Sequence, residues 1–362
     1  MSMIEVLSPG LLTTVQDLGR ESFGPMGVSP SGAADAIALR IGNRLVGNTE
    51  GAPGLEMTLL GGAFRFQETC VAALAGSDFG ATLDGDVLPP WQSFEVKSGQ
   101  TLRLGPTRSG ARCYLCVRGG IEVKPFLGSA STHLLSGLGG HEGRALRKGD
   151  VLRVGEAPGG TGIPACPPPT GRSHASNRQR KVAPKALALL APRKVLRVTP
   201  GPQSNWFSKA AQKAFYANAY RISEEANRMG LRLEGPPLPE AAQGDVRTEG
   251  HRDARAKALA EMISEGVSLG AIQIAAGGLP IILFVEQQTT GGYAKIANVI
   301  SADLHSLGQL RPRDEIRFEL VSFATARKLL IEQEKLLASK FLITEGQRVR
   351  ERRCAGGAVR TS

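Results

Sequence analysis

No apolar run in this 362-residue chain approaches the roughly 18 residues of a membrane span. The opening MSMIEVLSPG has neither the basic start nor the apolar core of a secretory leader. These two absences lead us to expect a soluble, cytoplasmic protein with no membrane contact. Cysteine is also scarce. Cys70, Cys113, Cys116, Cys166 and Cys354 are odd in number and scattered, unlike a disulfide framework. Cys113 and Cys116 form a CxxC, but within the β-like run ARCYLCVRGG, with no second pair or nearby histidine to complete four metal ligands. Packing in a sheet is the expectation, and no metal. GxxxxGK[ST], GxSxG, HExxH and calcium-loop patterns are missing too.

Aromatics make up 5% of residues and are not interleaved with basic residues, which argues against base stacking and a specific nucleic-acid partner. The net charge of +11 is unevenly placed. Residues 171–197 hold eight Lys or Arg and no acid, and residues 327–362 hold nine bases and four acids, so the remainder carries about −2. The excess is therefore expected in a linker and a tail.

What is present is alternation. IEVL, FEVKSGQTLRLG, ARCYLCVRGG and DVLRVG read as short strands between Gly, Pro and Asp turns. One helix interrupts them, with Ala34, Ile37, Ala38, Ile41 and Leu45 at helical spacing, Ser31 as the expected cap and Gly47 at the end. The expected fold is mainly β with short helices: a β-barrel domain over 1–156, a Pro/Gly/basic linker over 157–193, and a second barrel over 194–324 with a charged excursion at 239–262. An amphipathic helix, broken at Gln333, and a basic tail fill 325–362. RKGDVLRVG and RPRDEIRFE, each near the end of its domain, suggest that the two domains are related barrels.

Polar groups cluster in a few places. TTVQDLGR carries Asp17 and Arg20 in a turn, either to orient a polar substrate or to pair structurally. Ser31 and Asp35 share a face at the helix start, where an anion or an ordinary cap would fit. ANRMG presents Arg228, SEGVSLG presents Glu265, and in LGAIQI strand alternation turns Gln273 away from Ile272 and Ile274. The stretch VEQQTTGGYAKIANVISADL offers Gln288, Thr289, Thr290 and Lys295 around a double glycine. It reads as a ligand loop or a polar turn.

Taken in order, TTVQDLGR, GVSPSGAADAIA, GGIEVKPFLGSAST, TPGPQ, NRMGLRLEGPPL, SEGVSLGAIQI and QTTGGYAKIANVISADL resemble the carboxyltransferase domain family known as allophanate hydrolase subunit 2. The resemblance covers residues 3–155 and about 195–325. That family includes the C subunit of bacterial ATP-dependent 5-oxoprolinase, the nearest likeness, and part of the urea carboxylase carboxyltransferase domain. The resemblance implies two barrels, the second cyclophilin-like, a B-type and also an A-type partner subunit, and ATP-dependent opening of the lactam of 5-oxoproline. It makes Asp17, Glu265 and Lys295 the candidate catalytic groups. Arg20, Ser31, Asp35, Arg228, Gln273, Gln288, Thr289 and Thr290 become candidate substrate contacts. Alternatives are a carboxyltransferase component of a biotin-dependent urea or amide carboxylase, and a binding protein that antagonises a kinase inhibitor. This chain departs from the pattern at Glu286 and Gln287, where Asp-Arg is expected, at Ala294 for Pro, and at Ala226 for Ser.

Overall fold

The computed structural model describes residues 2–156, 179–238, 262–275 and 277–345. The excursion expected at 239–262 lies, apart from Met262, outside the described residues, as do 157–178 and 346–362.

Alternating strands in the first domain build two seven-stranded sheets. One runs in the order Ile121–Glu122, Val151–Val154, Met3–Ser8, Ala63–Phe66, Thr101–Arg103, Thr82–Leu83, Asp86–Val87. The other runs Leu12–Gln16, Gly54–Thr58, Arg112–Val117, Cys70–Gly76, Gln92–Val96, Arg180–Val182, Ile343–Glu345. Their inner faces meet in one core, Ile4, Phe64 and Leu102 from the first sheet against Leu55, Leu74 and Leu115 from the second. Helix α1 (Ala36–Val46) covers the outer face of the second sheet with Leu39, Ile41 and Leu45. It approaches closely because Gly42 has no side chain: a Cβ there would lie 2.7 Å from Cys116 Sγ. Cys113 faces the inter-sheet core and Cys116 faces α1, as strand alternation requires for residues three apart. The CxxC therefore cannot gather one metal ion, and burial pushes both thiols up, that of Cys116 to about 12.

Asp35, not Ser31, caps α1. Its Oδ1 accepts from Ala38 N at 2.9 Å, while Ser31 stands outside the helix at φ 55°. Gly47 closes the helix in the left-handed region, φ 82°, as expected.

Two boundaries differ from the sequence reading. Arg180–Val182 is a strand of the second sheet and is followed by helix α2 (Pro184–Leu189), so the segment read as linker contributes to the first domain. Val182, Ala186 and Leu190 bury against the α1 cluster, three apolar residues hidden in a polar, Pro-containing stretch. Six of the eight bases of 171–197, from Arg180 to Arg197, consequently lie within described structure rather than in a free linker. Likewise Ile343–Glu345, in the segment read as tail, pairs with Arg180–Val182.

In the second domain Val195–Pro200, Lys295–Val299, Ala271–Ile274, Pro280–Leu283, Gly230–Glu234, Tyr220–Ile222 and Glu315–Leu320 form a closed barrel, in that order. It closes through parallel pairing of its first and last strands, Val195↔Arg317 to Val198↔Leu320. Leu196, Ile272, Ile296 and Phe318 fill it. Helix α3 (Lys209–Ala217), capped by Ser208, adds Phe215, stacked on Phe318 with ring centroids 4.6 Å apart. A short helix, α4 (Leu304–Leu307), faces α1 across the domain junction. Helix α5 (Phe323–Ala338) runs unbroken through Gln333, whose Nε2 donates to Ala302 O at 2.8 Å instead of interrupting the helix. No helix of the described residues is long and apolar enough to cross a membrane.

Candidate functional site

The residues singled out in the sequence separate into two groups, joined along the chain by residues 284–288. The first group is a buried ion network at the domain junction. Arg228 leaves the loop before Gly230–Glu234 and reaches into the first domain. Its Nε donates to Glu286 Oε1, its Nη1 to Glu56 Oε1 at 2.5 Å, and its Nη2 to Gly32 O at 2.7 Å. Burial works against its charge, but Glu56 and Glu286 outweigh that, and its pKa shifts upward. Glu56 Oε2 accepts from Tyr114 OH at 2.7 Å and from Ala34 N at 2.8 Å. Tyr114 OH accepts from Asp35 N, and Asp35 Oδ2 accepts from Gln309 Nε2 at 2.7 Å. Asp35 is thereby held inside protein, its pKa raised chiefly by burial. Every side-chain N and O of Arg228 and Asp35 has a protein partner, so both join domains rather than offering a free edge to a ligand.

Asp17 is similarly engaged. Its Oδ1 accepts from Gly19 N, Ser129 Oγ and Ser131 Oγ, and its Oδ2 accepts from Ala130 N at 2.6 Å. A base needs a free lone pair aimed at its substrate, and Asp17 spends its own on fixing the 129–131 loop. Arg20, 2% exposed, donates to Ser131 O at 2.5 Å and lies 5.6 Å over the Phe126 ring. Among the described residues its Nη1 has no partner, and neither does Ser31 Oγ. Burial lowers the Arg20 pKa despite Asp17 and Glu286 nearby.

The second group gathers at one end of the barrel. Lys295 opens its strand directly across from Gln273, in a pairing that shifts register between Ile272 and Gln273. Opposed residues of paired strands carry their side chains on one face, about 5 Å apart. Both side chains are buried, Gln273 at 1% and Lys295 at 2%. Lys295 Nζ lies 2.7 Å from Glu265 Oε1. Beyond that ion pair, Lys295 Nζ and Gln273 Nε2 find no hydrogen-bond acceptor among the described residues. Glu265, with 44% of its side chain exposed, also accepts from Gln203 Nε2 at 2.8 Å. The Lys295 ammonium, then the Gln203 amide, hold its carboxyl below the usual carboxylate range. Gln203 in turn accepts from Lys295 N at 3.2 Å and fixes the strand that carries the lysine.

The loop of interest is the other wall. Thr290–Gly291 pairs with Glu265–Gly266 as a two-stranded ribbon, and Thr289 O accepts from Val267 N at 3.1 Å. Gly291 makes room for two amides: a Cβ there would lie 2.4 Å from Gln273 Nε2 and 3.0 Å from Gln288 Nε2. Gln288 and Thr290 are exposed, and Thr289 is half-buried. The structure therefore brings together Glu265, Gln273, Gln288, Thr289, Thr290 and Lys295, sets Asp35 and Arg228 in the junction, and leaves Asp17 and Arg20 on the 126–131 loop of the first domain and Ser31 just ahead of α1.

Sequence reasoning passed over Gln203, Glu56 and Glu286 as site residues. Gln203 sits in TPGPQ, where Gly201 allows the backbone close to Lys295: a Cβ on Gly201 would meet Lys295 O at 2.3 Å. Glu56 had a signal of its own, a lone acid between core residues Leu55 and Met57.

Chemically, Lys295 and Gln273 are two buried donors side by side with spare hydrogens. Donors fixed in a dry site and aimed at one oxygen can stabilise charge developing on a carbonyl. Glu265 stands at the rim, charged and within reach of solvent. No cluster of ligands for a metal ion occurs among the described residues.

Fold and site together define a two-domain β protein with an amide-lined, lysine-bearing barrel mouth beside a buried interdomain ion network. The chain belongs to the carboxyltransferase domain family, whose model, subdomains A and B, matches residues 26–320. It is 36% identical over 333 residues to the C subunit of the 5-oxoprolinase of Escherichia coli, covering 92% of this chain and 96% of that one. It is 33% identical over 339 residues to the urea amidolyase of Saccharomyces cerevisiae, covering 93% of this chain and 18% of the enzyme. Among solved structures it is similar to the urea amidolyase of K. lactis, with a TM-score of 0.78 and 33% identity over 93% of this chain and 20% of that one.

Proposed function

We propose that this protein is the C-type subunit of a 5-oxoprolinase-type complex, cytoplasmic and working with B-type and A-type subunits in the ATP-dependent hydrolysis of the lactam of 5-oxoproline to glutamate. The observation that carries this reading is the paired, under-satisfied donors Lys295 Nζ and Gln273 Nε2, on a chain whose match spans 96% of the Escherichia coli 5-oxoprolinase relative. An unstrained lactam is a poor electrophile. ATP would activate it by phosphorylating its oxygen. Water then adds to that carbon, the ring nitrogen leaves as the amine, and a second water hydrolyses the resulting acyl phosphate to glutamate and phosphate. Lys295 and Gln273 hold the oxygens at that carbon as charge develops on them. Glu265 supplies the counter-charge that holds the Lys295 ammonium in place. ATP is the cofactor of the assembled complex in this reading, and no residue of this chain is assigned to it.

The test is co-expression with B-type and A-type subunits, followed by measurement of glutamate and ADP from 5-oxoproline and ATP. Lys295→Met is expected to lower kcat by at least about 100-fold, the usual scale for losing one fixed donor, with complex formation intact. Unchanged turnover would remove Lys295 from the site. The likeness to urea amidolyase favours a second reading, a carboxyltransferase component that takes a carboxyl group from biotin on a partner chain. Carboxylation of urea or another amide by the reconstituted complex, with 5-oxoproline inert, would decide for it.

A further inference from the structure

A groove of about 440 Å³ opens between the domains and shares no lining residue with the Lys295 cluster. This volume lies within the range of small-molecule sites, roughly 300–1,000 Å³. The first domain contributes the start of α1, residues 76–77 and 109–110 and Trp91, the α2 segment contributes Leu187 and residues 190–194, and the second domain contributes residues 306–314.

Its polarity runs in one direction. Ile37, Ala38, Leu187, Leu190 and Leu310 supply apolar wall. The polar groups at the inner end are already satisfied. Asp35 accepts from Ala38 N and Gln309 Nε2. Gln309 Oε1 accepts from Ser77 Oγ, Ala111 N and Arg112 N. Ser306 Oγ accepts from Arg193 N. None of these groups requires a hydrogen bond from a guest. The mouth differs, because Arg193, Lys194 and Arg311 stand there. Lys194 pairs with Asp314 at 2.8 Å, and Arg311 lies 3.8 Å from the same carboxylate. The acid nearest Arg193 among the described residues is Asp303, 3.9 Å from its Nε and held by Arg197 in three hydrogen bonds. Arg193 Nε donates to Val195 O at 3.3 Å, and its two Nη groups stand at the rim with no acceptor among the described residues.

Trp91 provides a second, independent sign. It lines the groove with φ at 63°, a conformation in which a bulky residue is an outlier. The backbone imposes it: Trp91 N donates to Leu74 O at 2.7 Å, and Trp91 O accepts from Val182 N at 3.0 Å. Strain of this kind persists where the surroundings over-determine it, and it clusters at ligand sites. Here it holds a flat indole against the groove.

We propose that this groove binds a small organic acid with an apolar, ring-sized body and a single carboxylate. The body lies inward against Trp91 and the aliphatic wall, and the carboxylate lies outward on Arg193. Such a guest would touch both domains and α2 together, beside the Asp35–Gln309 bond that ties them.

The test uses the full chain with Trp206→Phe, which leaves Trp91 as the sole tryptophan, and titrates it with 3-phenylpropionate and with its uncharged amide. The carboxylate is expected to change Trp91 fluorescence saturably with one site per chain, and to bind about tenfold more tightly than the amide, the effect of one charge-assisted contact. Arg193→Ala should bring the carboxylate down to the affinity of the amide. Ala191→Phe, a substitution at an exposed position on the rim, should abolish the response with the circular dichroism spectrum and Tm unchanged. Saturable binding that survives Ala191→Phe, equal affinity for acid and amide, or no saturable response at all would each overturn the proposal.

Discussion

Lys295 shows how much a single side chain depends on its neighbours. A buried ammonium without a counter-charge would be costly, and Glu265 supplies that charge from a rim position where water still reaches it. Because the Glu265 carboxyl is held below its ordinary range by Lys295 and then Gln203, its folded-state pKa lies below its unfolded one. The pair therefore contributes stability above the ordinary carboxylate range, and that contribution is lost as pH falls through the lower folded value. Solvent exposure keeps the effect small. The Tm of Glu265→Gln is expected to trail the parent at neutral pH and to converge with it in acid; a gap independent of pH would show that the charge of Glu265 is immaterial. The sequence brought Glu265, Gln273 and Lys295 forward singly and passed over Gln203. What it left open was which of them touch, since Gln203, Glu265, Gln273 and Lys295 come from separate segments and meet only through the barrel.

At the scale of elements, α1 is the most informative. Its periodicity and its Gly47 terminus were legible in the residues, because 3.6-residue spacing and left-handed glycine are local properties. Its cap was not. Ser31 and Asp35 are both good cap residues, and the choice fell to Asp35 because Tyr114 OH and Gln309 Nε2 hold that residue from outside the helix. Asp35→Ala is expected to cost about 1 kcal/mol from the lost cap, read by urea denaturation. A change below a few tenths would mean that the burial of its charge offsets what the cap contributes. The segment read as linker failed for a related reason. Composition registers average polarity, whereas Val182, Ala186 and Leu190 matter through where they land.

For the whole molecule, the decisive feature is the Arg228 bridge. One guanidinium from the second domain holds Glu56 and Gly32 of the first and Glu286 of its own. Removing it leaves two buried carboxylates without their shared cation. Arg228→Met is expected to lose roughly 3–5 kcal/mol, the cost of breaking a buried pair from one side, in equilibrium urea unfolding. A loss under about 1 kcal/mol would show that the network rearranges freely. The sequence by itself determined the mainly β architecture, the glycine end of α1 and the packing role of CxxC, because alternation, spacing and turn residues act over a few positions. Only the tertiary structure decided that Arg228 and Asp35 join the domains while Lys295 and Gln273 keep unused hydrogens, because hydrogen-bond satisfaction depends on partners from distant parts of the chain.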